Sequence, residues 1–112
     1  MKPEDFDITN YKWNNGKLDC FQDVNLNDRN LKKFPFEFGI VTGYFSCAYN
    51  NLTTLEHCPS SVGGYFYCDS NKVEFTDQDI KRAMLKSKLK DQDIKDKDID
   101  NLVLINSLFN RG

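Results

Sequence analysis

Four cysteines and one histidine are the side chains suited to metal binding, disulfide formation or nucleophilic catalysis. Cys20, Cys47, Cys58 and Cys68 form no C-x-x-C pair, and only His57 could join them in a zinc ligand set. His57 and Cys58 are adjacent, and neighbouring residues seldom meet as base and nucleophile. No third group is in place to orient them. We therefore predict no catalytic residue, no metal site and no cofactor, and a protein that is not an enzyme.

The elements that position these cysteines recur at a step of 21 residues. When 44–52 is aligned with 65–73, Phe45 matches Phe66, Cys47 matches Cys68 and Asn50 matches Asn71. One step earlier the chain has a degenerate copy: Val24, Leu26, Arg29 and Leu31. A fixed period of this length is typical of solenoids, whose units bury their apolar faces against their neighbours.

The period also assigns an environment to the thiols. Cys47 and Cys68 take the position that Leu26 has in the first copy, and Cys20 lies one step before Val41. We therefore interpret the cysteines as small apolar core residues, with Cys58 the least defined because it lies in a loop. Because cytosolic thiols stay reduced, this interpretation is favoured over the two alternatives, a disulfide or a metal site.

The chain is predicted to be a single mixed α/β domain, 1–112, with a small, mostly parallel sheet. Residues 1–22 form an N-terminal β-hairpin cap that turns at Asn-Gly, 14–16, and sits beside the first repeat strand. Residues 23–76 carry two to three repeats. Residues 77–112 form a C-terminal cap of two helices. The first helix begins at Thr76 and has an apolar stripe, Ile80, Ala83, Met84 and Leu89, and the second begins near Asp98.

Each repeat reads apolar-x-apolar-x-x-Asn-x-apolar, which is the leucine-rich-repeat pattern with Phe and Cys replacing two leucines. Asn50 and Asn71 are predicted to bind backbone groups where the chain leaves a short parallel strand. Arg29 breaks this ladder in the first copy. The fold class is therefore a short leucine-rich-repeat-like solenoid.

Several segments resemble the short leucine-rich-repeat-like proteins of large tailed bacteriophages and some bacteria. These are NLTTLEHCP at 51–59 and VGGYFYC at 62–68, preceded by VNL at 24–26, LKKFP at 31–35 and FGIVTG at 38–43. The resemblance covers about residues 11–80. It implies a phage or prophage setting, and with it the cytoplasm of the host cell, but it brings no reaction and no catalytic residues.

The repeat register predicts which side chains face outward from the strands. These are Asp23, Asn25 and Asn27, then Tyr44, Ser46 and Ala48, then Tyr65, Tyr67 and Asp69. Tyrosines on a rigid sheet suit protein binding, and we expect Tyr44 to stack on Tyr65. The predicted partner-binding residues are Tyr44, Ser46, Tyr49, Tyr65, Tyr67 and Asp69. The alternative is that these aromatic residues stabilise the sheet or lie beneath the C-terminal helices.

Net charge and hydropathy limit the classes of partner that the sequence predicts. The net charge of −2 gives no overall attraction to nucleic acid or to an anionic membrane. No apolar run is long enough for a membrane helix, and the N-terminus lacks the apolar region of a secretory signal, so a cytoplasmic protein is expected. Lys81–Lys90 is a basic segment, but the aspartates that follow it largely cancel its charge. Asp96, Asp98 and Asp100 imitate a calcium loop without its glycine and glutamate.

Three functions are compatible with these features. The first is a non-catalytic protein-binding module. It would be a phage or prophage accessory protein that binds and inhibits a host defence component, and so would act as an anti-CRISPR or anti-restriction protein. The second is a nucleic-acid-binding accessory protein that uses Lys81–Lys90. The third is an oligomeric structural module that pairs through its apolar C-terminal helix.

Overall fold

A two-residue turn organises the N-terminal part of the computed structural model, which describes residues 1–89. After a short 3-10 helix, Pro3–Phe6, strands β1 (Tyr11–Asn14) and β2 (Lys17–Cys20) pair antiparallel. Asn15 and Gly16 join them with φ of 52° and 81°. Asparagine and glycine tolerate this left-handed backbone, so the hairpin forms where the sequence places it.

The other strands form parallel pairs in two separate sheets. They are β3 (Val24–Asn25), β4 (Phe38–Val41), β5 (Phe45–Ser46), β6 (Ser61–Val62) and β7 (Phe66–Tyr67). The four-stranded sheet has the order β1-β2-β4-β6, and the three-stranded sheet has the order β3-β5-β7. Two sheets stand where the sequence predicted one. The placement of the hairpin beside the first repeat strand was also wrong, because β2 pairs with β4 and not with β3.

Paired residues in the parallel sheets are mostly 21 positions apart. Val24 pairs with Phe45 and Phe45 with Phe66, while in the other sheet Val41 pairs with Val62. Each of these short strands is therefore hydrogen-bonded to a segment one step earlier or one step later in the chain.

The β2–β4 pair departs from this spacing through a bulge. Leu18 pairs with Phe38, 20 positions on, and the register shifts before Cys20 pairs with Val41. The buried carboxylate of Asp19 accepts the Ile40 N–H at 2.9 Å and so takes the place of a missing backbone acceptor.

Phenylalanine rings join the two sheets across the core. Phe38 of the four-stranded sheet and Phe45 of the three-stranded sheet have ring centroids 5.1 Å apart, and Phe45 lies 5.2 Å from Phe66. The predicted interior positions of the four cysteines are confirmed, because Cys20, Cys47, Cys58 and Cys68 are all buried free thiols.

Two asparagine side chains bind backbone groups where the chain leaves β5 and β7. Asn50 is buried, and its Oδ1 accepts the N–H groups of Arg29 and Leu31, both at 3.0 Å. Its Nδ2 donates to the carbonyl oxygens of Leu26, Cys47 and Ala48 at 2.8–3.2 Å. The Oδ1 of Asn71 accepts the Leu52 N–H at 3.0 Å, and its Nδ2 donates to the carbonyl oxygens of Cys47 and Cys68. The predicted backbone role of both residues is confirmed.

Helix α1 (Asp77–Leu89) closes the described part of the chain. The Thr76 hydroxyl accepts the Asp79 N–H at 3.1 Å and the Asp79 carboxylate accepts the Thr76 N–H at 2.8 Å, so the predicted N-cap is confirmed as a reciprocal capping box. Ile80, Ala83 and Met84 pack against the core. Near the other end, the buried Ser87 hydroxyl donates to the carbonyl oxygen of Cys58 at 2.8 Å.

Some predictions lie outside the described residues. They are the second helix from Asp98, the end of the basic segment at Lys90 and the aspartates 96–100. Within residues 1–89, the single helix is too short and too polar to cross a membrane.

Candidate protein-binding surface

The outward side chains of the three-stranded sheet form three rows across its strands, and we call this surface the sheet face. Asn25, Ser46 and Tyr67 are register partners and make up the middle row. The flanking residues on each strand extend the pattern, giving the rows Asp23, Tyr44 and Tyr65 on one side and Asn27, Ala48 and Asp69 on the other. The first strand therefore contributes polar and acidic groups, and the third contributes two tyrosines and one aspartate.

Two tyrosines at the third strand form an exposed aromatic pair. The rings of Tyr65 and Tyr67 have centroids 5.7 Å apart and planes inclined by 34°. Their exposed fractions are 73% and 46%. Tyr49, which follows β5 with a φ of 55°, is 57% exposed. Because α1 leaves Tyr65 and Tyr67 uncovered, their rings are accessible to a second protein.

The middle of the sheet face differs from the sequence-based prediction. Ser46 is only 4% exposed and its hydroxyl donates to Asn27 Oδ1 at 2.6 Å, so its prediction as a partner-binding residue was wrong. Ala48 is also buried, at 3%. Both residues have short side chains, and Asn27 from the first strand accepts the Ser46 hydroxyl and the Ala48 N–H.

Tyr44 and Asp69, two other predicted outward-facing residues, differ in how far they are exposed. Tyr44 faces the predicted side but is half-buried, and among the ring contacts of residues 1–89 the partner of Tyr65 is Tyr67 and not Tyr44. Asp69 is exposed, as its position at the end of the third strand requires.

A cleft of about 310 Å³ opens at the first-strand end of the sheet face. Its polar lining consists of Asp7, Asp23, Asn25, Asn27, Asp28 and Arg29. Arg29 is held by the N-terminal segment, since its guanidinium lies 3.6 Å from the Asp7 carboxylate, donates to the Asp5 carbonyl oxygen at 3.2 Å and sits 5.0 Å from the centre of the Phe6 ring. The positive charge in this cleft is thus already matched by Asp7.

Three side chains within 19–27 accept backbone hydrogen bonds from the segment 21 residues later, a feature that the sequence analysis missed. Asp19, Asp23 and Asn27 each use Oδ1 to accept the backbone N–H of the residue 21 positions later, in every case at 2.9 Å. The signal that could have revealed them is a short polar acceptor at every fourth residue, 19, 23 and 27, where the first copy begins. These bonds fix the backbone that carries Tyr44.

The thiols and the histidine are not arranged for shared chemistry. Burial raises the pKa of Cys20 and of Cys58 to about 12 and that of Cys68 to about 11, and it raises the pKa of Cys47 as well. The Cys58 thiol donates to the Pro59 carbonyl oxygen at 3.6 Å. Thiols with such pKa values are overwhelmingly protonated at neutral pH and are weak nucleophiles.

His57 lies between two glutamate side chains. Its two ring nitrogens each lie 3.9 Å from a carboxylate, Nδ1 from Glu37 and Nε2 from Glu56. Its side chain is 35% exposed, so the histidine is half-buried between two acids. Within residues 1–89, no three His, Cys, Asp or Glu side chains group as metal ligands.

The basic residues of α1 are spread over its surface. Lys81 and Lys88, seven positions apart, lie on one side of the helix, and the exposed Lys86 lies on another. The sheet face and its adjoining cleft are therefore the best-defined candidate surface.

No protein-family model, curated protein or solved structure matches this chain.

Proposed function

We propose that this chain is a non-catalytic protein-binding module that grips another protein with the sheet face. The observation that carries the proposal is the Tyr65–Tyr67 pair, two rings in contact with each other yet 73% and 46% exposed. Tyrosine buries a large area while losing few rotamers, and it is enriched among the residues that dominate binding energy.

The backbone beneath the pair supports its use as an anchor. The carbonyl oxygens of Tyr65 and Tyr67 accept the N–H groups of Phe45 and Cys47 at 2.9 and 2.8 Å, so both tyrosines are fixed to the central strand. Rings that are already positioned lose little conformational entropy on binding, and this improves affinity.

The architecture that we propose for this module is a short leucine-rich-repeat-like solenoid. The pairing of residues 21 positions apart and the equivalent bonds of Asn50 and Asn71 support it. Leucine-rich repeats usually have a helix or a 3-10 turn opposite the strand. Here β4 and β6 occupy that side, which makes this a variant with strands on both faces.

The resemblance of 51–59 and 62–68 to small phage proteins directs the choice of partner. On that basis we propose a phage or prophage accessory protein that binds and inhibits a host protein, such as a component of CRISPR or restriction defence. This step depends on the resemblance alone and not on the geometry of the sheet face.

Recovery of partners from bacterial lysate tests the proposal. The bait is the full chain, compared with Tyr65→Ala/Tyr67→Ala and with Phe21→Ala, which removes a 45% exposed ring outside the sheet face. Circular dichroism establishes that each variant is folded. We expect a stoichiometric partner with the wild type and Phe21→Ala, and an affinity at least about 30-fold weaker with the double variant, the equivalent of losing one dominant contact.

Two results would overturn the proposal. One is the absence of any stoichiometric partner from lysates of defence-bearing hosts. The other is a folded Tyr65→Ala/Tyr67→Ala variant that keeps full affinity for the partner, because the sheet face would then contribute nothing to binding.

A further inference from the structure

We infer that the sheet face binds an extended segment of its partner in which a lysine or arginine lies about 10 Å from an apolar side chain. This inference rests on the proposed function, since it names the chemistry of the segment that the same surface accepts. It comes from the unequal character of the two ends of the sheet face, which are acidic at the first strand and aromatic at the third.

The first-strand end of the sheet face is acidic. Asp23 and Asp28 line the cleft there, and both are exposed. The one hydrogen bond described for the Asp23 carboxylate comes from the neutral Tyr44 N–H, and the arginine of the cleft, Arg29, lies against Asp7. A cationic segment complements this potential, whereas a nucleic-acid phosphate would be repelled.

The two asparagines of the cleft add hydrogen-bonding groups suited to a peptide. Asn25 Oδ1 accepts the Asn27 N–H at 3.0 Å, and Asn27 Oδ1 accepts the Ser46 hydroxyl and the Ala48 N–H. Their oxygens are thus committed to the fold, and their NH2 groups remain as donors. Backbone carbonyl oxygens of an extended peptide are the natural acceptors for such donors.

The spacing of the strands sets the separation of the two groups on the partner. Neighbouring strands lie about 4.8 Å apart, so the first and third strands of the sheet face are about 10 Å apart. An extended segment in the polyproline II conformation has three residues per turn and rises about 3.1 Å per residue, so residues three apart lie on the same side and about 9 Å from each other. A basic residue at one position and an apolar residue three positions along would therefore reach the cleft and the Tyr65–Tyr67 pair together.

Nuclear magnetic resonance titration of the full chain with defined peptides tests this inference. The probe is a capped peptide with arginine and leucine separated by two serines, and its control carries glutamate in place of arginine. We expect the arginine peptide to shift backbone amide signals of 23–28 and 65–69 in a saturable way. The glutamate peptide should bind at least about fivefold more weakly, and added salt should reduce the difference.

Neutralising the acids of the cleft provides the matched variants. Asp23→Asn and Asp28→Asn keep the side-chain shape and, for Asp23, the acceptor of the Tyr44 N–H, while removing the charge. Each should weaken the arginine peptide about two- to fivefold, the usual range for one exposed ion pair. Glu74→Gln, an exposed acid after the third strand, should leave its affinity unchanged.

The outcomes separate this inference from the proposed function. Equal binding of the two peptides, no binding by the arginine peptide, or insensitivity to both aspartate substitutions would overturn the inference while a tyrosine-dependent lysate partner still upheld the proposed function. If instead the lysate partner ignores Tyr65→Ala/Tyr67→Ala, the proposed function fails, whatever the peptides do.

Discussion

Replacing Asn50 with alanine is the perturbation whose effect the structure specifies most fully. The side chain is 6% exposed and connects the turn after β5 to the chain one step earlier. Alanine leaves two backbone N–H groups without their acceptor and three carbonyl oxygens without their shared donor.

The magnitude follows from the number of bonds lost. Two accepted bonds and the two hydrogens of the NH2 group make about four hydrogen bonds, each worth about 1 kcal/mol net. Water that enters the vacated space recovers part of this, so we expect the free energy of unfolding to fall by about 2–4 kcal/mol. With a urea slope of about 1.5 kcal/mol/M, the unfolding midpoint should fall by about 1.3–2.7 M.

Urea unfolding followed by circular dichroism is the assay, with Asn51→Ala as the adjacent control. Asn51 is half-buried, and its side chain contacts Asn30 near the surface, so its removal should cost less than about 0.5 kcal/mol. If Asn50→Ala shifts the midpoint no more than Asn51→Ala does, the ladder is not a stabilising feature and the reasoning fails.

Aspartate at the same position separates the two halves of the amide. Asn50→Asp keeps an acceptor for the N–H groups but turns a second oxygen toward the three carbonyl oxygens, so it should destabilise at least as much as alanine at pH 7. The site would raise the pKa of the new carboxyl above its unfolded value. Its protonated form would then stabilise the fold at low pH, and this contribution would be lost as pH rises through the raised pKa.

Two further predictions concern close backbone contacts and buried thiols. In Gly63→Ala the new Cβ would lie 2.1 Å from the carbonyl oxygen of Thr42, so urea unfolding should show a loss of about 1–3 kcal/mol. The nearest atom at Gly64 is 3.1 Å away, and Gly64→Ala losing as much would contradict this explanation. Because burial raises the pKa of Cys20 and of Cys58 from 9.0 to about 12, thiols of the unfolded chain ionise first, and the free energy of unfolding should fall as pH rises from about 9 toward 12. In the native protein at pH 8 these thiols should react with a disulfide reagent at least about 100-fold more slowly than in urea, and equal rates would refute their burial.

The elements that could be predicted from the sequence depend on short, contiguous signals. Asn15 and Gly16 supply the left-handed turn of the hairpin, and Thr76 with Asp79 supplies the helix cap, each within a few residues. The burial of Cys20, Cys47 and Cys68 could be predicted for a different reason. Their repeat positions are shared with Val41 and Leu26, and burial of a position depends mainly on register.

The second parallel sheet could not be predicted so readily. Gly39 interrupts the strand-favouring residues of 38–41, and 61–62 is only two residues long, so neither segment gives a long, continuous strand pattern. Their strand geometry comes from pairing with each other and with β2. After β6, Gly63 is required because the chain approaches Thr42 too closely for a Cβ.

The burial of Ser46 shows a limit of reasoning from register alone. Alternation correctly assigns it to the outward side of β5, yet exposure also depends on the length of neighbouring side chains. Asn25 and Tyr67 lie on either side of it in the register, and Asn27 binds its hydroxyl. A small residue on a central strand is therefore a poor candidate for contact with a partner even when it faces outward.

The shared spacing of the two parallel sheets has a consequence for how the chain tolerates insertions and deletions during evolution. Between 41 and 66 the same stretch of chain supplies strands to both sheets, so gaining or losing one residue there would shift the partners in each. Insertion of a whole 21-residue unit would leave every pairing intact. At the bulge between β2 and β4 the spacing is one residue short on one side, and the Asp19 carboxylate supplies a backbone acceptor there, so a change of one residue should be tolerated at this place. Natural length variants should therefore differ by whole units within the array and by single residues only near this bulge.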